Sequence, residues 1–306
     1  MQIMGLITAL PGAAAQGLIW GIMAIGVYIT FRILDIADLT VDGTLCTGGA
    51  VCIMMMLSGH NVWMSMLAAT GAGLLAGLAT GIFHTFMGIP AILAGILTQL
   101  SLYSVNLKIM GKANQAINVD KYNLLVSLRR VKGVTLTQNT LFIVAIMILL
   151  LIAVLYWFFG TELGCSLRAT GCNPSMSRAQ GINTDFNKVL GLMLSNGLVA
   201  LSGALLTQYQ GFADINMGRG SIVIGLAAVI IGEAIFSRIF RNFALKLLSV
   251  VFGSILYYLV LQTVIWLGID TDLLKMLSAL VVAVFLAVPY WKTKYFTKPT
   301  KRGGNN

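Results

Sequence analysis

Charged residues are scarce in this sequence. Of its 306 residues, only 10% are Asp, Glu, Lys or Arg, whereas 58% are hydrophobic. An average soluble domain carries about 25% charged residues. The composition therefore excludes an ordinary soluble domain and predicts a protein embedded in a membrane.

Sequence motifs for nucleotide, metal or redox chemistry are missing as well. No GxxxxGK[ST] motif occurs, so the chain cannot hold ATP in the manner of a phosphate-binding loop, and we expect no cofactor in it. If ATP drives the protein, another chain binds the nucleotide. The cysteines and histidines show no CxxC or ligand spacing, which disfavours a metal site, a redox role and an intramembrane enzyme. They are Cys46, Cys52, Cys165, Cys172, His60 and His84.

Long apolar runs fill most of the chain. A hydrocarbon core about 30 Å thick requires about 20 apolar residues per helix. We therefore predict an all-α polytopic membrane protein with about eight to nine transmembrane helices in a single domain, residues 1–306. The N-terminus lacks the basic region of a signal peptide, so the first span is expected to remain. The predicted spans are Ala14–Leu34, Gly43–Leu57, Val62–Met87, Pro90–Ile109, Thr140–Phe159, Val189–Tyr209, Ser221–Phe236, Leu245–Leu267 and Asp272–Tyr290.

Two of these spans, Gly43–Leu57 and Ser221–Phe236, are too short to cross a bilayer comfortably. Short segments behind glycine-bearing approaches, at corresponding places in two halves, are typical of broken helices around a transport path and of an inverted repeat. We expect both to face the interior of the bundle. The polar residues beside them are candidates for the pathway, or they cap helix ends: Thr40, Asp42, Thr44 and Asn216.

The acidic residues near the apolar runs allow functional and structural interpretations. Asp35, Asp38 and Asp42 cluster between the first two spans, and Glu233 lies five residues before Arg238. Ionisable groups at membrane depth are functional candidates. We nevertheless expect these groups near the interface, as helix caps or local ion pairs.

Glycines repeat every four residues in two spans. The row Gly73, Gly77 and Gly81 lies on one helix face, as do Gly17 and Gly21. Small residues allow helix backbones to approach each other closely in lipid. The rows predict tight helix contacts and indicate nothing about a substrate.

The net charge of +10 reflects membrane orientation better than nucleic-acid binding, because the basic residues lie at the ends of apolar runs. Cytoplasmic loops carry an excess of Lys and Arg. This places the basic tail 292–306 and the loop 160–188 in the cytoplasm, and the Gly111–Asn139 loop outside. That outer loop is either a solvated cap or a docking surface for an external partner. The cytoplasmic set is Arg32, Arg168, Arg178, Lys188, Arg238, Arg241, Lys246, Lys292, Lys294, Lys298, Lys301 and Arg302.

The cytoplasmic loop contains signals for a short helix. Asn173 and Pro174 suit the cap and the first position of a helix, and Gly181 suits its end. We predict a helix over Pro174–Gln180. The alternative is an ordinary basic loop.

The run LGCSLRATGCNPSMSRAQGIN resembles the cytoplasmic loop of permease subunits of ABC importers, in the branched-chain amino acid and simple-sugar permease family. The family pattern is close to LGxxxRAxGxNxxxARxxGI, and Ser177 stands where the family often has alanine. The segments ADLTVDGTLCTGGAV and GLAAVIIGEAIF resemble other landmarks of the family, and LTVDGT resembles a subgroup linked to tryptophan- or tyrosine-type uptake. The residues that match or adjoin the loop pattern are Gly164, Arg168, Ala169, Gly171, Asn173, Pro174, Ser175, Met176, Arg178, Gly181 and Ile182.

The resemblance implies a multi-pass subunit in the plasma membrane of a prokaryote. Its partners would be ABC ATPase subunits, a second permease copy in a homodimer and an extracytoplasmic solute-binding protein, with membrane lipid around it and no nucleic acid. The short helix would be the coupling helix that seats in the ATPase. The substrate would be a small polar solute, an amino acid or a related compound, with nucleosides and sugars left open. The competing class is a secondary transporter driven by an ion gradient. The residues that the resemblance assigns to ATPase coupling are Arg168, Gly171, Asn173, Pro174, Ser175, Met176, Arg178 and Gly181.

Overall fold

The fold is a bundle of apolar helices. The computed structural model describes residues 2–119, 122, 124–131, 139–236, 239–240 and 242–267, with scattered positions between 273 and 287. The helices are α1 (Gln2–Tyr28), α2 (Val41–Leu57), α3 (Val62–Thr85), α4 (Ala91–Met110), α5 (Thr140–Gly160), α6 (Glu162–Cys172), α7 (Pro174–Ala179), α8 (Thr184–Gln210), α9 (Ser221–Phe236) and α10 (Phe243–Trp266). A π-helical turn, Ile29–Ile33, extends α1, and Leu128–Val131 forms a 3₁₀ turn. Two short strands, β1 (Asn114–Ala116) and β2 (Phe212–Asp214), pair antiparallel.

The structure confirms the all-α membrane architecture. Six described helices are long and apolar enough to cross a bilayer, and α2 and α9 are shorter apolar helices. Eight of the predicted spans therefore correspond to helices. The ninth, Asp272–Tyr290, lies largely outside the described residues, as does the tail 292–306. The first helix begins earlier than the predicted Ala14, because the apolar run continues back through Pro11 without a stop signal.

The two long helices α1 and α8 run antiparallel. Ser202 Oγ on α8 donates to the carbonyl of Ile19 on α1 at 2.8 Å. About two turns further along α1, the carbonyl of Gly26 accepts from Ser195 Oγ at 2.8 Å. As the residue number rises along α1 it falls along α8, so the two helices point in opposite directions.

The order and packing of the other helices also relate two halves of the bundle, α1–α3 and α8–α10. A short helix follows each long one: α2 follows α1, and α9 follows α8. The next helix then packs against the long helix of the other half, so that α3 lies on α8 and α10 lies on α1. This exchange between antiparallel halves agrees with the predicted inverted repeat.

The glycine rows lie at the closest of these helix contacts. A Cβ atom added to Gly77 would overlap the backbone carbonyl of Leu192 on α8, and one added to Gly17 would lie 2.8 Å from the Cα of Ile255 on α10. The structure therefore confirms the predicted tight packing. Close contacts are also made by Gly21, Gly73 and Gly81.

The two polar loops of the chain lie at opposite ends of α8. Helix α7 comes just before the N-terminus of α8, whereas the described part of the Gly111–Asn139 loop pairs through β1 with β2, just after its C-terminus. Because α8 has 27 residues, these ends are about 40 Å apart. The predicted placement of the two loops on opposite sides agrees with this geometry.

The glycine packing predicts different outcomes for Gly77→Ala and Gly71→Ala on the same helix. A methyl group at position 77 has to displace the α8 backbone, whereas one at position 71 meets no atom within 4 Å. We expect Gly77→Ala to lower the free energy of unfolding by about 1–3 kcal/mol, and Gly71→Ala to leave it unchanged or raise it. Thermal melting of the detergent-solubilised protein measures both. Equal melting of the two variants would contradict the packing.

Candidate coupling loop and transport cleft

Helix α7 forms where the sequence predicts it. Asn173 Oδ1 accepts from the backbone N–H of Met176 at 3.0 Å, and Pro174 occupies the first turn. Gly181 has a φ of +80°, a left-handed conformation that favours glycine after a helix end. The helix ends at Ala179, one residue earlier than predicted, with Gln180 as its cap.

Arg178 connects α7 to a membrane-spanning helix by a hydrogen bond. Its Nε donates to Thr184 Oγ1 at 2.9 Å, and Thr184 is the first residue of α8. The other face of α7 is open, and the Met176 side chain is 52% exposed. Arg178 therefore links α7 to the start of α8.

Arg168 lies away from the exposed face of α7. Its guanidinium donates to the carbonyl of Phe159 at 2.8 Å and lies 5.9 Å from the centre of the Phe243 ring. These contacts hold α6 against the end of α5 and the start of α10. The geometry gives Arg168 a positioning role inside the loop rather than a place on its outer surface.

Gly171 brings α6 against the end of the first span. An added Cβ at this position would overlap the carbonyl of Ile33 and lie 2.9 Å from the Cα of Leu34. Gly191 on α8 packs on the side chain of the same leucine. The loop thus touches the chain directly before the non-helical segment 35–40, where Asp35 has a left-handed φ of 55°.

Segment 35–40 carries a buried carboxylate. Asp38 is 2% exposed. Its Oδ1 accepts from the backbone N–H of Thr40 at 2.9 Å, and its Oδ2 accepts from Asn196 Nδ2 on α8 at 2.7 Å. We expected Asp38 to serve as a helix cap or in a local ion pair, and it does bond the N-cap residue of α2. The second bond, from Asn196 on α8, was not predicted.

Buried hydroxyl groups continue from Asp38 into three further helices. Thr44 Oγ1 on α2 donates to Asn196 Oδ1 at 2.7 Å. Thr40 and Thr80 share a hydrogen bond of 2.7 Å between their hydroxyls, and Thr80 Oγ1 donates to Thr98 Oγ1 on α4 at 2.9 Å. The buried polar network therefore joins α2, α3, α4 and α8. Its members are Asp38, Thr40, Thr44, Thr80, Thr98 and Asn196.

Asp42 joins the two short helices. Its Oδ1 accepts from the backbone N–H of Ile222 at 2.9 Å and from Ser221 Oγ at 2.8 Å, and its Oδ2 accepts from the N–H of Gly220 at 2.9 Å. A residue in the first turn of α2 thus caps the N-terminus of α9. The N-termini of α2 and α9 therefore meet, and α2 also lies beside the middle of α8, where Thr44 contacts Asn196.

A cleft of about 370 Å³ opens at this meeting point, between α2, α4 and the segment after β2. Asn106 in its wall is 1% exposed, and its Oδ1 has no hydrogen-bond partner. Among the described residues, no partner is seen for the Arg219 guanidinium either. The polar and aromatic lining residues are Asp42, Gln99, Tyr103, Asn106 and Arg219.

Comparison with known proteins identifies the family. The model of the branched-chain amino acid transport system permease component matches residues 10–288. The chain belongs to this family. It is therefore the permease subunit of an ABC importer and a multi-pass protein of the bacterial plasma membrane.

Named relatives of the permease differ in their substrates. A tyrosine transport system permease protein of Clostridioides difficile is 38% identical over 272 residues, which cover 89% of this chain and 88% of the relative. A fructose import permease of Bifidobacterium longum is 25% identical over 87% of this chain and 73% of its own. An autoinducer 2 import permease of Yersinia pestis is 30% identical over 72% and 60%. No solved structure matches the chain significantly.

The permease structure separates the predicted site residues into different environments. Asp42 lines the cleft and caps α9, as the helix-cap alternative predicts. Thr40 and Thr44 are fully buried in the polar network beside the cleft. Asn216 is exposed in the turn before Arg219 and is not part of the lining. Of the two predicted short spans, α2 has no exposed residue, whereas α9 exposes part of its surface.

The ion pair of Glu233 also differs from the prediction. The carboxylate bonds Arg32 Nε at 2.9 Å, whereas the predicted partner, Arg238, lies outside the described residues. Arg32 is remote in sequence, so helical spacing around Glu233 could not indicate it. The pairing ties the end of α9 to the end of the first span.

The cap at α9 predicts a graded stability series at position 42. Asp42→Ala removes the acceptor of two backbone N–H groups and should lower the free energy of unfolding by about 1 kcal/mol. Asp42→Asn keeps one acceptor oxygen and should lower it less. Asn216→Ala, in an exposed turn, is the control and should melt like the wild type. If Asp42→Ala also melts like the wild type, the carboxylate does not stabilise α9.

Proposed function

We propose that the permease imports an amino acid, powered by ATP hydrolysis on separate ATPase subunits that seat on α7. A second permease copy would complete the membrane pathway, and an extracytoplasmic solute-binding protein would deliver the substrate. The observation that carries the proposal is the position of α7, which is exposed outward and linked inward to the buried polar network.

Two routes connect α7 with the network. The first runs through Arg178 and Thr184 into α8, which carries Asn196. The second runs through α6, where Gly171 packs against Ile33 at the start of the segment that bears Asp38. Both routes end at the Asp38–Asn196 hydrogen bond. A rigid-body shift of the loop would therefore change the packing of α2 against α8, beside the cleft.

The residues of the chain indicate which subunit binds the nucleotide. The chain has no phosphate-binding loop, and we assign nucleotide binding to the partner subunit. The exposed Met176 offers an apolar contact for that partner. The competing hypothesis, an ion-gradient transporter, receives no support from the family or from the named relatives.

The coupling proposal predicts that a charge at position 176 disrupts assembly with the ATPase. Burial of a methionine side chain contributes about 1.5–3 kcal/mol, so Met176→Asp should weaken ATPase binding about tenfold or more. Met176→Leu should retain binding. The measurement is the amount of ATPase that co-purifies with membrane-inserted permease, together with uptake in proteoliposomes.

Leu128→Asp is the matched control. Leu128 is 59% exposed and belongs to the loop at the opposite end of α8. Normal ATPase binding by Met176→Asp would contradict the role of α7. Uptake driven by an ion gradient without ATP would support the competing transporter class instead.

The chemistry of the cleft supports an amino acid as substrate. Arg219 offers a guanidinium for a carboxylate, and Asn106 Oδ1 offers an acceptor for an ammonium group. The volume of about 370 Å³ falls within the range of small-molecule sites. A neutral sugar would leave the guanidinium without a charged partner. The relative named for tyrosine transport supports the same substrate class.

The substrate proposal predicts that uptake depends on the charge and shape of residue 219. In proteoliposomes with ATPase and binding protein, Arg219→Gln should lower tyrosine uptake about tenfold or more, and Arg219→Lys should lower it less. Asn216→Gln in the neighbouring turn is the control. ATPase co-purification should stay unchanged in all three. Equal uptake by Arg219→Gln and wild type, or preferential uptake of fructose, would contradict amino-acid recognition in the cleft.

A further inference from the structure

A second cleft, of about 850 Å³, lies at the end of the bundle that carries α6 and α7. The end of the first span, the end of α5, the loop helix α6 and the first turn of α10 form its walls. No part of the buried polar network lines it. It is therefore separate from the proposed substrate path.

The walls of this cleft are basic. Arg32, Arg168 and Lys246 line it, and none of the described lining residues is acidic. Glu233 neutralises Arg32, and Arg168 is hydrogen-bonded to the carbonyl of Phe159. For Lys246, no hydrogen bond or ion pair is seen within the described part of the chain. Within the described part of the chain, the cleft therefore keeps an unmatched positive charge at Lys246.

The cleft opens at the lipid-facing surface of the bundle. Helix α5 exposes an apolar face that includes Leu150 and Val154, as expected of a helix in contact with lipid. At the end of this face Tyr156 and Trp157 line the cleft, and Trp157 is 71% exposed. Tyrosine and tryptophan favour the headgroup level of a bilayer. The basic groups therefore lie at the depth of lipid phosphates.

The predicted cytoplasmic location of the cleft also favours a ligand with a phosphate headgroup. The cleft shares α6 with the loop that the charge distribution places in the cytoplasm. The cytoplasmic leaflet carries the anionic lipids, and basic pockets between helices on that side bind their headgroups. A soluble segment of an ATPase would not need aromatic side chains on the lipid face of α5.

We propose that this cleft binds the phosphate headgroup of an anionic phospholipid, with Lys246 and Arg168 as its cationic contacts. The acyl chains would lie along the apolar face of α5. A lipid bound there bridges α6 and α10, next to the coupling loop. This site is independent of the transported substrate and of the ATPase.

The test compares lipid binding by purified full-length permease variants. Native mass spectrometry would count the phosphatidylglycerol and phosphatidylcholine molecules retained by each. We expect Lys246→Gln to bind phosphatidylglycerol about fivefold more weakly, and Lys246→Arg to bind it like the wild type. Lys112→Gln removes an exposed charge at the opposite end of the bundle and should have no effect.

Four outcomes would overturn the proposal. The first is equal phosphatidylglycerol retention by Lys246→Gln and wild type. The second is equal retention of phosphatidylcholine and phosphatidylglycerol by the wild type. The third is displacement of the lipid by millimolar inorganic phosphate with the same dependence on Lys246, which would identify a site for free phosphate. Loss of the lipid when the ATPase binds would likewise assign the cleft to the partner subunit.

Discussion

Bonding the backbone N–H groups where the two short helices begin is the constraint on which this permease structure depends. A helix that begins inside a bilayer exposes N–H groups that lipid cannot bond. Both short helices meet this requirement through carboxylates: Asp42 accepts from the N–H groups of Gly220 and Ile222 at the start of α9, and Asp38 accepts from that of Thr40 just before α2. The two short helices are therefore joined to each other where they begin, and α2 is also joined to α8 through Asn196.

The buried carboxylate of Asp38 requires a precise environment in turn. A buried carboxyl group is costly unless it is hydrogen-bonded, and Asn196 Nδ2 provides such a bond from the middle of α8. Helix α8 can pack closely against α3 because Gly77 on α3 presents no side chain to the carbonyl of Leu192 on α8. Tight glycine packing and the polar network are thus parts of one arrangement, and a change at the glycine row should alter the hydrogen bonds beside the cleft.

The same arrangement places the loop that carries α6 and α7 in contact with two membrane-spanning helices. Gly171 lies against the end of the first span, and Arg178 bonds the first residue of α8. These contacts lie directly between the loop and the helices that lead to segment 35–40, which supports the proposed coupling route. The basic cleft at the end of α5 lies beside this route, where a bound lipid would stiffen the attachment of α6 to α10.

Local patterns in the sequence determined the membrane class, most of the helices, the glycine faces and the capped helix α7, because each depends on residues within a few positions of one another. Asn173 and Gly181, for example, act on the helix between them. Only the tertiary structure decided that Asp38 is buried, that Asp42 caps a helix 179 residues away and that Arg32 pairs with Glu233 across 201 residues. Such partners come from the packing of distant helices, which no periodicity along the chain encodes.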